Sequence, residues 1–82
     1  MYIDYLVIIV MTNEEKIALL EDMMDLEAGT LTVDTELTAV DEYDSMAKLS
    51  LIVLFDEECG KRLTGEEIRT FKRVGDILEA MG

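Results

Sequence analysis

Residues 44–60 read DSMAKLSLIVLFDEECG, and this stretch decides the fold. Asp44 is a good N-cap, so a helix is predicted to begin at Asp44-Ser45. Met46, Leu49, Ile52 and Val53 share one broad face at helical spacing. Leu51, Leu54 and Phe55 fill much of the rest. So wide an apolar surface predicts a central helix touched on several sides. The helix should end near Cys59, with Gly60 as its left-handed terminator. Asp56, Glu57 and Glu58 close it with acid, which opposes the helix macrodipole and hints at a use other than stability.

Upstream, residues 30–43 (TLTVDTELTAVDEY) show no sustained helical stripe, and their Thr and Asp residues favour turns. They read as a long loop anchored by Leu31, Val33, Leu37 and Val40. A loop of this length in a small domain is more often functional than not. Before it, Thr12-Asn13-Glu14-Glu15 forms a capping box. The helix it opens is predicted over residues 13–26, with Ile17, Leu20, Met24 and Ala28 inward and Gly29 as its stop. Glu14, Glu21, Asp22 and Asp25 should face water. Downstream, Thr64-Gly65-Glu66-Glu67 is a second capping box. It starts a short helix through Phe71, with Ile68 and Phe71 inward. A last helix over residues 74–81 presents Val74, Ile77, Leu78 and Met81. The expected fold is all-α: an antiparallel helical bundle of three main helices plus one short helix. The absence of proline and the many Leu, Met, Glu and Ala residues agree with it.

Residues 1–11 differ in character. Leu6 to Val10 is an apolar, β-branched run with no helix cap before it. It is far shorter than the roughly 20 residues a membrane helix needs. It also lacks the basic start and cleavage site of a secretory signal. An extra strand or a partner-binding arm is one reading. The expectation preferred is a leader foreign to the domain, with Met11 as the biological start and the domain spanning residues 12–82.

The net charge is −12. Residues 1–44 hold twelve acids and one base, Lys16, whereas residues 45–82 hold seven acids and six bases. Such a chain is repelled by nucleic acid and by anionic membranes, so neither is an expected partner. Proteins with basic patches would be steered towards it, although charge also simply keeps a small protein soluble. One cysteine, Cys59, allows no internal disulfide, and there is no histidine. Ser-His and Cys-His nucleophile pairs and common zinc sites are therefore excluded. Calcium binding by the loop is disfavoured, because the ligand alternation and central glycine of an EF-hand are missing. Cys59 reads as a small core residue. Met23, Met24, Met46 and Met81 read as core filling, with a deformable, opening core as the alternative.

Ser45 is the residue of chemical interest: a hydroxyl at a helix start directly after a long loop. Its plain local reading is a helix cap. At larger scale the chain resembles the acyl carrier protein family. Asp44-Ser45-Met46 stands where that family has its Asp-Ser-Leu attachment motif. Residues 45–81 align to the family's last three helices without a gap, through Leu51-Ile52-Val53, Asp56-Glu57-Glu58, Gly65-Glu66-Glu67 and Val74-Gly75-Asp76. The resemblance covers residues 12–82. Departures are Met46 for leucine, Lys48 and Ser50 in a usually more acidic helix half, and Cys59 for a larger apolar residue. Thr64 also replaces a frequent proline, and Arg73 the threonine that caps the last helix.

The resemblance implies a non-catalytic, cytoplasmic, monomeric carrier. A 4'-phosphopantetheine arm from coenzyme A would be attached to Ser45 by a separate phosphopantetheinyl transferase, with Asp44 in the attachment motif. Acyl groups would travel as thioesters to enzymes of fatty-acid, polyketide or related biosynthesis. Asp44, Met46, Asp56, Glu57 and Glu66 would meet basic docking patches on those enzymes. The alternatives are an aminoacyl carrier, of D-alanyl or peptidyl type, and a non-carrier acidic module that mimics nucleic acid. Asp41-Glu42-Tyr43 stands where peptidyl carriers usually show Gly-Gly, which disfavours the peptidyl variant.

Overall fold

The computed structural model of the protein describes residues 11–81. The expectation for the leader therefore lies, but for Met11, outside the described residues. Four helices follow in order: α1 (Asn13–Met23), α2 (Ser45–Leu54), α3 (Gly65–Thr70) and α4 (Val74–Met81). A 3-10 turn, Leu37–Ala39, interrupts the long loop, and a π-helical turn, Phe55–Cys59, continues α2. The fold is the helical bundle expected from the sequence, and no described residue belongs to an extended strand.

Both capping boxes form. Thr12 accepts from the Glu15 amide while the Glu15 carboxylate accepts from the Thr12 amide, and Thr64 and Glu67 repeat the arrangement. Each box satisfies two of the amides that a helix start leaves without partners. The first helix ends earlier than predicted. Asp25 takes a left-handed conformation, φ 58°. The Leu26 amide then donates to the Glu21 carbonyl at 2.7 Å and the Asp25 amide to the Asp22 carbonyl at 3.2 Å. This is a Schellman closure with aspartate in the position glycine usually holds. The chain has already left the helix at Ala28, which is exposed rather than inward.

Glu21 corrects a second expectation. It is only 5% exposed. Its carboxylate accepts from the Gly29 amide at 3.1 Å and the Leu31 amide at 2.9 Å. A carboxylate can sit inside a small protein when such donors compensate it. Here it shapes the start of the long loop and holds Leu31 in the core.

That loop is then tied to α4 through the backbone. The Val74 amide donates to the Thr35 carbonyl at 3.0 Å and the Gly75 amide to the Val33 carbonyl at 2.9 Å. In the opposite sense, the Leu37 amide donates to the Lys72 carbonyl at 2.9 Å. The side chain of Asp76 accepts from the Lys72 and Arg73 amides. Loop carbonyls and Asp76 thus do the work of the missing threonine cap at Arg73. Val33 anchors through its carbonyl, its side chain remaining exposed. A Cβ on Gly75 would lie 2.8 Å from the Val33 Cγ1, so the close approach requires glycine.

Leu20, Leu51, Phe55, Val74, Ile77 and Met81 are buried almost completely and form the centre of the core. Leu31 and Leu37 join it from the loop, and Leu63 and Ile68 from the α3 side. Phe71 follows the end of α3 and is only half-buried.

Candidate functional site

Asp44, not Ser45, caps α2: its Oδ1 accepts from the Ala47 amide at 2.9 Å. Ser45 is the first helical residue and is exposed. Its hydroxyl makes no hydrogen bond among the described residues. The Lys48 amide donates to the Asp44 carbonyl, opening the regular helical ladder. The Ser45 and Met46 amides precede that ladder, at the end of the helix that favours negative charge. The local sequence therefore separates two tasks. Aspartate fixes the helix start, and serine is held there with its oxygen facing water.

The helix behind Ser45 departs from expectation. Ala47, Leu51 and Phe55 enter the core, but Met46 is 70% exposed, Leu49 58% and Val53 52%. At 3.6 residues per turn these two stripes lie on roughly opposite sides of the helix. Met46, Leu49 and Val53 are thus corrected from core to surface. The signal was present in the sequence as two separate stripes, but a bare count of apolar positions merges them. Ser45, Leu49, Val53 and Asp56 follow steps of four, four and three, so the hydroxyl, the apolar stripe and the first acid share a face.

Asp56 and Glu57 are exposed, and they lie in the π turn rather than in an α-helical one. There the amides of Gly60 and Lys61 both donate to the Phe55 carbonyl. Gly60 adopts the left-handed conformation expected of it, φ 65°. Such wide turns are frequent at functional sites. Glu66 is exposed in the first turn of α3. The structure therefore places Asp44, Ser45 and Met46 at one end of the apolar stripe and Asp56 and Glu57 at the other, with Glu66 on a separate helix.

Cys59 is half-buried, and burial is the main cause of a thiol pKa above its usual value. Glu58 adds to that rise, while Lys61 and Lys16 partly offset it. A thiol held protonated in this way is a poor nucleophile. Among the described residues no cluster of acids and cysteine is arranged to hold a metal ion, and no helix is long and apolar enough to cross a membrane.

Sequence reasoning missed a cleft beside this face. Between the long loop and α3 lies an opening of about 440 Å³, bordered by Tyr43, Lys48, Ile68 and Phe71 among others. Its residues come from three separate segments, so no local pattern announces it. The nearest sequence signal was the concentration of basic residues after residue 45, where six of the seven lie.

Comparison with known proteins bears on the chain as a whole. No family model and no solved structure matches the chain. Curated relatives do. The acyl carrier proteins of Arthrobacter sp. (strain FB24) and Paenarthrobacter aurescens (strain TC1) are each 32% identical over 71 residues, covering 82% of this chain and 88% of the relative. The acyl carrier protein of Renibacterium salmoninarum is 30% identical over the same shares. Likeness of that extent runs through nearly all of each relative rather than through a local motif, and the chain belongs to the acyl carrier protein family.

Proposed function

We propose that residues 12–82 form a carrier domain that holds acyl groups on a 4'-phosphopantetheine arm attached to Ser45. The observation that carries this reading is the exposed Ser45 hydroxyl, with Asp44 taking over the capping contact beside it. The residues present suit the group. A phosphodiester on Ser45 would lie at a helix N-terminus next to the Ser45 and Met46 amides, where an anion is favoured. Asp41, Glu42 and Asp44 surround it with negative charge that directs the arm outwards.

In attachment, the Ser45 oxygen attacks the phosphorus of coenzyme A that bears the pantetheine. An O–P bond forms to serine, and the P–O bond to adenosine 3',5'-bisphosphate breaks. The serine proton passes to a base of the separate transferase, and the Mg²⁺ it binds offsets the developing charge. The chain thus needs no histidine of its own. Once attached, the arm supplies the terminal thiol on which the acyl group is carried as a thioester.

The exposed stripe of Met46, Leu49 and Val53 is the docking face for the enzymes that load and use the cargo. Acids flank it at both ends, Asp44 at one and Asp56 and Glu57 at the other, and Glu66 extends the acidic rim. A partner with an apolar hollow between basic patches complements this pattern. Lys48 and Ser50 leave the middle of the face without acid. The pathways in view are fatty-acid, polyketide or related biosynthesis in the cytoplasm, served by the chain as a monomer.

The test is direct. Incubation with coenzyme A, Mg²⁺ and a broad-specificity phosphopantetheinyl transferase should add one phosphopantetheine mass on Ser45. Ser45→Ala should stay folded and unmodified, and Ser50→Ala should be modified normally. Well-folded protein that several transferases leave unmodified would overturn the reading.

A further inference from the structure

The charge around Ser45 is uneven. Asp41, Glu42 and Asp44 stand just before it, and α2 carries a single charged side chain of its own, Lys48. Lys48 follows Ser45 by three residues, which makes the two neighbours on the helix surface. It lies to the side of the apolar stripe: with Arg69 and Lys72 it borders the opening between the long loop and α3, against one acid, Asp41. The next bases along the chain, Lys61 and Arg62, come only after Gly60.

The Lys48 side chain has a definite direction. Its ammonium sits 5.5 Å from the centre of the Tyr43 ring. Tyr43 precedes Ser45 by two residues, so the ammonium is turned back past the turn that holds Ser45. Side chains on a helix lean towards its N-terminus, and the face of a tyrosine ring attracts a cation. The ring is itself held in place, because Tyr43 is half-buried with its hydroxyl closed to solvent and unpartnered among the described residues. No carboxylate lies within ion-pair distance of Lys48 among the described residues, where the ion pair present joins Arg73 and Glu36. Asp44, at the spacing that suits an ion pair with Lys48, gives its Oδ1 to the Ala47 amide instead. A positive charge is thus held beside the attachment point. An ammonium has three donors, so the ring contact leaves some of them for an acceptor.

We infer that Lys48 is the counter-ion of the arm: it donates to the phosphodiester on Ser45 and so fixes the side of α2 from which the arm leaves, that of Tyr43 rather than that of the apolar stripe. The inference rests on the carrier reading of Ser45. Asp41, Glu42 and Asp44 repel the phosphate, and Lys48 alone on the helix attracts it. The root of the arm then stays clear of Met46, Leu49 and Val53, so a partner can cover that stripe while the arm passes alongside. Lys48 is in this a positioning residue.

Two forms of the protein test it. One is loaded with the arm by the transferase from coenzyme A, and the other carries phosphoserine incorporated at position 45 during translation. Both are read by NMR against the unmodified protein. In both, the Lys48 Cε–Hε signals should shift while those of Lys16 and Lys61 stay in place. In the loaded form, the geminal methyl groups of the arm, the first beyond the phosphate, should show NOE contacts with Lys48 and Tyr43. Lys48→Gln should lose these contacts, Lys48→Arg should restore them by keeping the cation, and Lys72→Gln should leave them unchanged. The unmodified variants should give the amide spectrum of the parent, since Lys48 is exposed, which keeps the readout apart from folding. Lys48 signals that stay put with a phosphate ester on residue 45 overturn the inference, as do methyl contacts with Met46 and Leu49 in place of Tyr43, or contacts that survive Lys48→Gln. Failure to load Ser45 counts against the carrier reading alone, because the phosphoserine form still decides whether Lys48 pairs with a phosphate there.

Discussion

The two apolar faces of α2 have similar composition and opposite fates. Ala47, Leu51 and Phe55 are sealed into the core, whereas Met46, Leu49 and Val53 lie open to solvent beside Ser45. Apolarity alone does not say which stripe is inside, because much of any folded surface is apolar. Position does. The buried stripe shares one core with Leu20 of α1 and with Val74 and Ile77 of α4, and the exposed one begins at the Ser45 hydroxyl and ends at the acidic turn. A helix that is apolar on both sides in a small bundle gives one side to its own core, and in the proposed reading the other side is the one a partner enzyme meets.

Substitution separates the faces. Leu51→Ala removes a fully buried side chain and should cost about 2–5 kcal/mol in urea denaturation. Leu49→Gln and Val53→Thr should stay within about 0.5 kcal/mol of the parent, as surface changes do, while slowing acyl transfer by partner enzymes. If Leu49→Gln destabilised the fold as much as Leu51→Ala, the outer stripe would be core and the docking assignment would fail.

A smaller contrast of the same kind lies within α1. Asp22 is exposed, but its neighbour Glu21 is buried and holds two loop amides. Glu21→Ala leaves those amides unpaired at a cost of about 1–3 kcal/mol. Asp22→Ala should be close to neutral. Hydrogen exchange at the Gly29 and Leu31 amides gives the sharper readout: it should quicken selectively in Glu21→Ala. Unchanged protection there would mean that the carboxylate does not order the loop.

These contrasts mark what the sequence could and could not disclose. The helices were legible because their signals are local: two capping boxes, Asp44 before α2, Gly60 after it, and the apolar period of α4. Asp25 hid the end of α1, because an aspartate in the left-handed region carries no glycine signature. Glu21 was read as solvated, because its partners lie eight and ten residues away. The motif and its spacing singled out Ser45, and the structure adds that it is exposed and that Asp44 makes the capping contact. The Tyr43 cleft was not legible. It depends on α3 packing against the loop, and a buried hydroxyl without a partner is a property of packing alone.

The smallest expected effect concerns the seam between the long loop and α4, where the cleft's cationic rim meets the core. Asp76 accepts from the Lys72 amide at 2.8 Å and the Arg73 amide at 3.1 Å. These two bonds hold its carboxyl pKa below the usual aspartate value, with a lesser contribution from the nearby Arg73 and Lys72 charges. A group whose pKa falls on folding stabilises the fold when it is ionised in both states. Its contribution is therefore complete above the ordinary aspartate pKa and disappears as pH falls through the lower, folded value. Asp76→Asn, compared with the parent by melting temperature from pH 7 to pH 2.5, isolates this effect, since the other carboxylates titrate in both proteins. The parent should be the more stable at pH 7, by a small margin because the site is open to solvent. The gap should hold down to about pH 4 and then narrow, since ordinary aspartates titrate near there. A gap that stayed constant through the acid range would show that hydrogen bonding by a neutral oxygen suffices, and that the ionised carboxylate is not what fastens the start of α4.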